Sequence, residues 1–554
     1  MNLDIAEAKN LAKQLNEEIK QNKLEDLESV PLLLMFLICL WCDDVPLGQS
    51  RCGLYASIIE LLLSRSICKY PEMELTCEPS HSDIPQCFCK HVHCTKYNKL
   101  LAALGQLAFE TLYSVKKENT LVFDQSVAIK YLSPDYLKLS LLSGLLTQSK
   151  ERTLTKQSSK VSFPHKTVQE FVCAFYISCQ TESDIHKIVQ QKCKSVQNIL
   201  EILTVFVFIS GMVNAEVLSS ISRAFMFVIR DDKITSEYMS TTGRYCKPLK
   251  DIQDMYISCI KENPNDECLK HFCEDFFFME DCKEDKYFTY LYWFAVDNKN
   301  SMGSINIDTR DGPSLLKIVD CCELGEPFNI SKLFYIFHGE EAELIYLLNR
   351  PTKCVSVISW GEGSWTRKMT KTFQRNFLLQ AIYIRGFAMS HDVLIDFLNY
   401  IINRKTMTEI ILFDLSCTEH RRTCTFSLDF SQHSDLRKLV LYEIPEVSQL
   451  KINSQVKHMK LLCISLGEMS LPTEMVNIER VELWYVNMSA TTFRDLVKVV
   501  EKLSHKLLVK VGDCNIEPKK EFEDVKQYIH ASQNLNFRST PDECSWFEFE
   551  TNVV

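Results

Sequence analysis

Lys160-Val-Ser-Phe-Pro-His-Lys-Thr-Val-Gln-Glu-Phe-Val-Cys-Ala-Phe-Tyr-Ile177 places one histidine at the mouth of an amphipathic helix. Val168, Phe171, Val172 and Phe175 fall at i, i+3, i+4 and i+7, a single apolar stripe. Thr167 and Glu170 have the spacing of a capping box, which leaves His165 just outside the first turn. Val161 and Phe163 alternate as a short strand running into it. Free backbone N–H groups and the positive end of the helix dipole make such a start a natural anion site. A histidine there can add a hydrogen bond to a phosphate. By spacing alone it is equally a cap or a surface residue.

The pattern Phe163-x-His165-x-x-x-Gln169-Glu170-Phe171-x-x-Ala174-x-Tyr176 resembles the end of the winged-helix domain in NOD-like receptors of the NACHT ATPase class. The resemblance implies a histidine that contacts the β-phosphate of bound ADP and helps hold the receptor closed. A second stretch is similar to the helical domain that closes the same module. It runs Pro31-Leu-Leu-Leu34 through Leu40-Trp41, then Ser50-Arg51-x-x-Leu54-Tyr55 and Ile59-Glu60-Leu61-Leu62. There the matching proline packs on the adenine; here Ser29-Val30 stands before Pro31 where Gly or Asn is usual. A proline that only starts a core helix remains the alternative.

Outward from these stretches, residues 1–68 read as helices, with Pro31 opening one and Ser50 capping another. Residues 69–96 are an irregular Cys- and His-rich insert. Residues 97–180 alternate helices with short strands and a hairpin, the order of a winged helix whose would-be recognition helix is not basic. Residues 181–345 read as predominantly helical, where the resemblance implies a second helical domain.

From about Val355 apolar quartets recur at i, i+3, i+5 and i+8: Leu379, Ile382, Ile384, Phe387; Met407, Ile410, Leu412, Leu415; Leu436, Leu439, Leu441, Ile444. Val456, Met459, Leu461, Ile464 and Ile478, Val481, Leu483, Val486 continue them, with Val509, Val511 and Cys514 weaker. The third members are spaced by 28, 29, 20, 22 and 28 residues. That period and strand pattern suit degenerate leucine-rich repeats over 346–530, with 531–554 as a tail. The expected fold class is mainly α with an α/β C-terminal part: helical domain, winged helix, second helical domain, repeat solenoid.

A net charge of −10 without a basic block argues against nucleic acid or an anionic membrane as partner. The apolar runs Val30 to Cys42 and Ile202 to Ala215 are shorter than the ~17–20 residues a spanning helix needs. The 24 cysteines, with no signal-peptide character at the N-terminus, read as reduced thiols of a cytoplasmic protein.

No G-x-x-x-x-G-K-[ST] occurs, so the clustered amides and hydroxyl that hold phosphates and Mg²⁺ are missing. By resemblance the chain starts after the catalytic half of the ATPase module. His165 and Pro31 then belong to a remnant site, and ADP or ATP is expected only with the missing N-terminal half. Neither G-x-S-x-G nor H-E-x-x-H occurs, and no enzyme activity is expected.

In the insert, Cys77, Cys87, Cys89 and Cys94, with His81, His91 and His93, are zinc candidates, though tighter in spacing than zinc fingers. A variable surface loop is the alternative. The functional expectation is an innate-immune sensor or regulator of NOD-like-receptor type, with nucleotide-linked switching and protein partners on the repeat face. A homo-oligomer is among those partners. A leucine-rich-repeat adaptor of the ubiquitin-ligase substrate-receptor kind is the second reading.

Overall fold

The recurring quartets become a stack of parallel strands, and the rest of the molecule is built around them or apart from them. The computed structural model describes residues 5–22, 24–28, 30–48, 50–73, 84–113, 121–152, 157–243, 245–263, 269–308, 330–420, 424–472, 475–539 and 546–552. The architecture is broadly α/β, in two compact units. Unit 1 is Met1–Asp232 with Lys247–Cys273; unit 2 is Lys233–Cys246 with Glu274–Val554.

Unit 1 begins with helices α1 (Ile5–Gln21), α2 (Glu25–Glu28), α3 (Pro31–Cys42) and α4 (Arg51–Lys69). Pro31 occupies the first turn of α3, and the Ser50 side chain caps α4 by accepting from the Gly53 N–H. Then come α5 (Val92–Lys96), α6 (Asn98–Leu112), strand β1 (Val122–Asp124), α7 (Gln125–Ala128) and α8 (Pro134–Ser143). The hairpin β2 (Thr147–Arg152) and β3 (Gln157–Ser162) joins β1 in an antiparallel sheet of order β1-β3-β2.

The signature helix is α9 (Lys166–Ser178), and all four residues of its expected stripe are buried. After it run α10 (Glu182–Lys192), α11 (Val196–Glu201), α12 (Leu203–Ser210) and α13 (Ala215–Asp231); α14 (Lys233–Ser240) lies in unit 2, and α15 (Lys247–Glu262) returns to unit 1. Rings from four separate segments meet in the core, with Tyr55 5.0 Å and Phe171 5.1 Å from Phe208, and Phe88 4.9 Å from Phe175. Such edge-on pairs add to the burial term.

Two internal carboxylates finish helix starts in this unit. Glu262 accepts from Ser50 Oγ (2.8 Å) and from the N–H groups of Arg51 (2.8 Å) and Cys52 (3.0 Å), where α4 has free donors. Glu60 does the same for α5, accepting from the His93 N–H (3.1 Å), the Cys94 N–H (2.9 Å) and His93 Nδ1 (2.8 Å). Burial pushes the Glu60 carboxyl up, but the His93 side chain and the two N–H groups outweigh it, leaving its pKa below the usual value.

Unit 2 is organised on a twelve-stranded sheet. Its strands are β4 (Asp275–Phe278), β5 (Ser304–Ile307), β6 (Lys332–Phe337), β7 (Cys354–Ser364), β8 (Ala381–Met389), β9 (Glu409–Cys417), β11 (Lys438–Tyr442), β13 (His458–Leu462), β15 (Arg480–Trp484), β17 (Leu508–Gly512), β20 (Trp546–Thr551) and β19 (Leu535–Ser539). From β4 to β17 every neighbour is parallel; β20 and β19 close the edge antiparallel.

Quartet residues pair with quartet residues: Ile384 with Leu412, Leu412 with Leu441, Leu441 with Leu461, Leu461 with Leu483, Leu483 with Val511. All are buried. Helices α16 (Asp285–Asn298), α17 (Glu341–Leu348), α18 (Arg367–Gln374), α19 (His391–Asn403) and α20 (Ala490–Glu501) lie between successive strands of this sheet, and α21 (Lys519–Ala531) follows β17. From β9 to β15 the connections carry strands rather than a helix among the described residues. There the return path carries β12 (Glu446–Lys451) and β14 (Leu466–Ser470), which with β10 (Thr425–Asp429) form a second parallel sheet; β16 (Asn487–Ser489) pairs with β18 (Asn515–Glu517).

Six successive strands share a left-handed residue at one register position: Gly386 and Asp414 within β8 and β9, and Glu443, Cys463, Tyr485 and Asp513 immediately after β11, β13, β15 and β17. Their spacing equals that of the quartets. For a non-glycine this conformation costs about 1–2 kcal/mol. A hydrogen bond offsets it: the N–H of Glu443, Cys463 and Tyr485 donates to the carbonyl of Leu462, Trp484 and Gly512 on the next strand.

Two expectations are corrected. The stretch 181–345, read as predominantly helical, does carry helices from Glu182 to Glu262 and at Asp285–Asn298, but it also holds β4, β5 and β6, so the parallel stack expected from about Val355 begins near Asp275. These strands are buried on both faces, so they carry no alternation to read. The capping box of Thr167 and Glu170 is also replaced: His165 itself caps α9.

Candidate functional site

At the start of α9 His165 is extended (φ −151°, ψ 152°), and its Nδ1 accepts from the Thr167 N–H at 3.2 Å. Thr167 Oγ1 lies 2.8 Å from the same nitrogen and accepts from the Tyr55 hydroxyl at 2.6 Å. With Tyr55 donating to Thr167, the Thr167 proton is directed at Nδ1, which places the imidazole proton on Nε2. The ring is half-buried, and Nε2 is the atom left to donate beyond this chain of bonds. Glu170, which the capping box needed, is buried and pairs instead with Lys166 at 3.4 Å. Burial holds its carboxyl above the usual value, partly countered by the Lys166 charge.

Pro31 is exposed at the start of α3. Helices α3 and α9 both pack on α4. A cavity of about 670 Å³ lies at the far end of α9, lined by Asn98, Phe175, Cys179, Asn214 and Val217, and His165 takes no part in it.

The described zinc candidates of the insert are engaged separately. Cys94 is buried with its thiol on the Ala56 carbonyl (3.7 Å), Cys89 is exposed, and Cys87, half-buried, has its thiol pushed up to about 12, mainly by burial. Cys77 and His81 lie outside the described residues. Among the described residues, metal-ligating side chains converge elsewhere: His391, Cys417, His420 and Cys424 each bring one donor atom within 4.8 Å of the others.

One face of the parallel sheet is a further candidate surface. Residues alternating with the buried quartets form cross-strand rows. One row runs Arg385, Phe413, Tyr442, Leu462, Trp484, Gly512, Trp546, each paired to the next. Phe413 and Tyr442 stack at 3.9 Å, and the Arg385 guanidinium sits over Phe413 (4.4 Å) and Trp360 (4.7 Å). Gly512 is required there, because a Cβ would stand 2.2 Å from the Trp484 ring. The neighbouring row runs Tyr383, Ile411, Val440, Lys460, Glu482, Lys510, Glu548 and is charged and alternating from β13 to β20, with Lys460–Glu482 at 3.0 Å and Lys510–Glu548 at 3.4 Å.

Towards β4 the same face is occupied by the chain itself. Segment Lys233–Cys246 lies on it: Lys332 Nζ donates to the carbonyls of Tyr238 (2.5 Å) and Thr241 (2.7 Å), Ser356 Oγ to that of Thr242 (3.0 Å), and the Thr242 N–H to Glu409 (2.7 Å). Phe277 packs against Tyr238 (5.8 Å) and Tyr245 (6.3 Å). Burial lowers the Lys332 ammonium to about 8 and, against the Ser304 hydrogen bond, raises Asp275 to about 6. The face is therefore covered at one end and open, half-buried and aromatic at the other.

No protein-family model matches the sequence, and comparison with curated proteins finds no significant match. No described helix is long and apolar enough to cross a membrane. The quartets were legible in the sequence, whereas the row facing away from the core was not singled out. Its signal was the aromatic or cationic residue just after the third member of four of the five quartets: Arg385, Phe413, Tyr442 and Trp484, with Leu462 the exception. The metal-ligating group had its own signal in the spacing Cys417-x₂-His420-x₃-Cys424.

Proposed function

We propose that the chain acts by contact rather than by turnover, as a NOD-like-receptor-type regulator of innate immune signalling in the cytoplasm. The open aromatic row of the sheet is the observation that carries this reading. Three-residue-wide rows of paired, half-buried side chains on parallel strands suit recognition of a protein surface, with Arg and aromatic anchors. The recurrence of the left-handed turns at the spacing of the quartets, 20 to 29 residues, supports assignment of the stack to degenerate leucine-rich repeats. The antiparallel β1-β3-β2 sheet leading into α9 supports a winged helix in unit 1.

His165 serves as the switch element of this reading: its Nε2–H can donate to a diphosphate while Nδ1 holds the helix start. The chain does not hydrolyse ATP by itself. Nucleotide binds with full strength only when a phosphate-cradling half completes the site.

Two measurements test the parts separately. Titration with labelled ADP should show binding that His165→Ala abolishes; no binding at millimolar ADP removes the nucleotide-linked element. Cross-linking in cells should recover partners that Phe413→Ser, Tyr442→Ser and Trp484→Ser lose while far-UV circular dichroism is unchanged. Retention of every partner by the triple variant defeats the contact role of this face.

A further inference from the structure

We propose that His391, Cys417, His420 and Cys424 form a structural zinc site that locks two successive repeats together. Two thiols and two imidazoles are a complete tetrahedral donor set for Zn²⁺. Metal–ligand bonds of about 2.3 Å to sulfur and about 2.0 Å to nitrogen put tetrahedral donors roughly 3.3–3.8 Å apart. Cys424 Sγ lies 3.4 Å from His391 Nδ1, and Cys417 Sγ 3.7 Å from His420 Nδ1, both within that range. The widest separation in the group is no more than 4.8 Å, so closing on an ion requires side-chain movement of about 1 Å. The imidazoles already face each other edge to face, with centroids 4.7 Å apart.

The ligands come from different parts of the fold. His391 is the first residue of α19, Cys417 the last of β9, and Cys424 immediately precedes β10. The pairing of β8 with β9 brings the start of α19 against the β9–β10 connection. A metal there ties His391 of one repeat to three ligands of the next, adding to the β8–β9 ladder and to the Thr418 N–H that donates to the Met389 carbonyl (2.8 Å). All four positions are taken by protein side chains, so the site has no open coordination for a substrate, and its role is to hold the repeats. Cys417 and Cys424 are both buried, which excludes bulk water from two of the four bonds.

Purified full-length chain, prepared under reductant, is analysed for zinc, stripped with chelator and titrated with Co²⁺. One equivalent of zinc per chain should be lost in Cys417→Ser/Cys424→Ser, while Cys87→Ser/Cys89→Ser retains it. Bound Co²⁺ should give the intense visible bands of a tetrahedral ion with a thiolate charge-transfer band. Because Cys417 and Cys424 are buried, their variants can unfold; His420 is exposed, and His420→Ala should keep its circular dichroism yet release zinc to chelator at least tenfold more readily. A folded wild-type chain with no zinc and no thiolate–Co²⁺ band overturns the proposal. So does zinc content unchanged in the double variant, unaltered release in His420→Ala, or a Cys417–Cys424 disulfide in the freshly prepared protein.

Discussion

Replacing Gly386 by alanine should damage the parallel stack more than any single loss on its surface. Gly386 has φ +76°, and a Cβ built on it would meet the Ser359 carbonyl oxygen at 2.2 Å and its carbon at 3.1 Å. The obstacle is backbone of β7, paired to β8, so it cannot swing aside as a side chain would. The left-handed conformation costs about 1–2 kcal/mol for alanine, and forcing two paired strands apart adds about 1–3 kcal/mol. The sum, about 2–5 kcal/mol, corresponds to exchange of β7 and β8 amides faster by roughly thirtyfold to several thousandfold if they open locally. Hydrogen exchange read peptide by peptide by mass spectrometry suits a chain of two units, whose global unfolding is not two-state. Glu443→Gly is the matched control at the equivalent turn, φ +45°. It removes strain but adds unfolded-state entropy, so it should be neutral or stabilise by up to about 1 kcal/mol. A tolerated Gly386→Ala together with a damaging Glu443→Gly would refute the account of these turns.

Gly512→Ala should destabilise by about 1–3 kcal/mol, and Trp484→Leu should recover part of that loss, a coupling that a double-mutant cycle in urea measures directly. Lys332→Met leaves the carbonyls of Tyr238 and Thr241 without their buried donor, at about 1–3 kcal/mol each. Limited proteolysis should then cut within 233–246 first; unchanged resistance there would show that the segment is held by other contacts. His271 is buried and burial lowers its pKa from 6.5 to about 3, so the unfolded chain binds the extra proton between those values. Stability of unit 1 should therefore fall as pH drops from about 6.5 towards 3, by up to roughly 4 kcal/mol, and the His271→Phe variant should lack that component in melts across the range.

What the sequence disclosed follows from which faces of an element meet water. The quartets from Leu379 to Val486 were readable because inward residues alternate with outward ones that stay half-exposed, such as Phe413 and Trp484. Phe276, Phe277 and Phe278 gave no such contrast. Phe276 packs on Phe294 of α16, and Phe277 on Tyr238 and Tyr245 of a segment some thirty residues upstream, so both faces are dry. The position of His165 at a helix start was legible, but its bond to Thr167 depends on Tyr55, more than a hundred residues earlier, which takes the threonine hydroxyl out of the capping role. Cys417, His420 and Cys424 sit close in sequence. Their fourth partner, His391, becomes a neighbour only once β8 and β9 pair, and the denser cysteines of the insert drew the metal reading away from them.

The covering segment Lys233–Cys246 leaves the ribosome before any strand it will lie on. Thr242 must wait for Glu409, 167 residues later, before its N–H finds an acceptor. At typical synthesis rates of 5–20 residues per second that delay is roughly 10–30 s. Nascent unit 1 can assemble meanwhile from everything up to Cys273, apart from this one excursion. Translation thus presents the residues of unit 1 together with a segment, α14 and the residues after it, whose partners are not yet made, and the growing sheet must capture that segment as its strands emerge, β4 first. A pause in elongation after β9 would act on yield through this single stretch of fourteen residues.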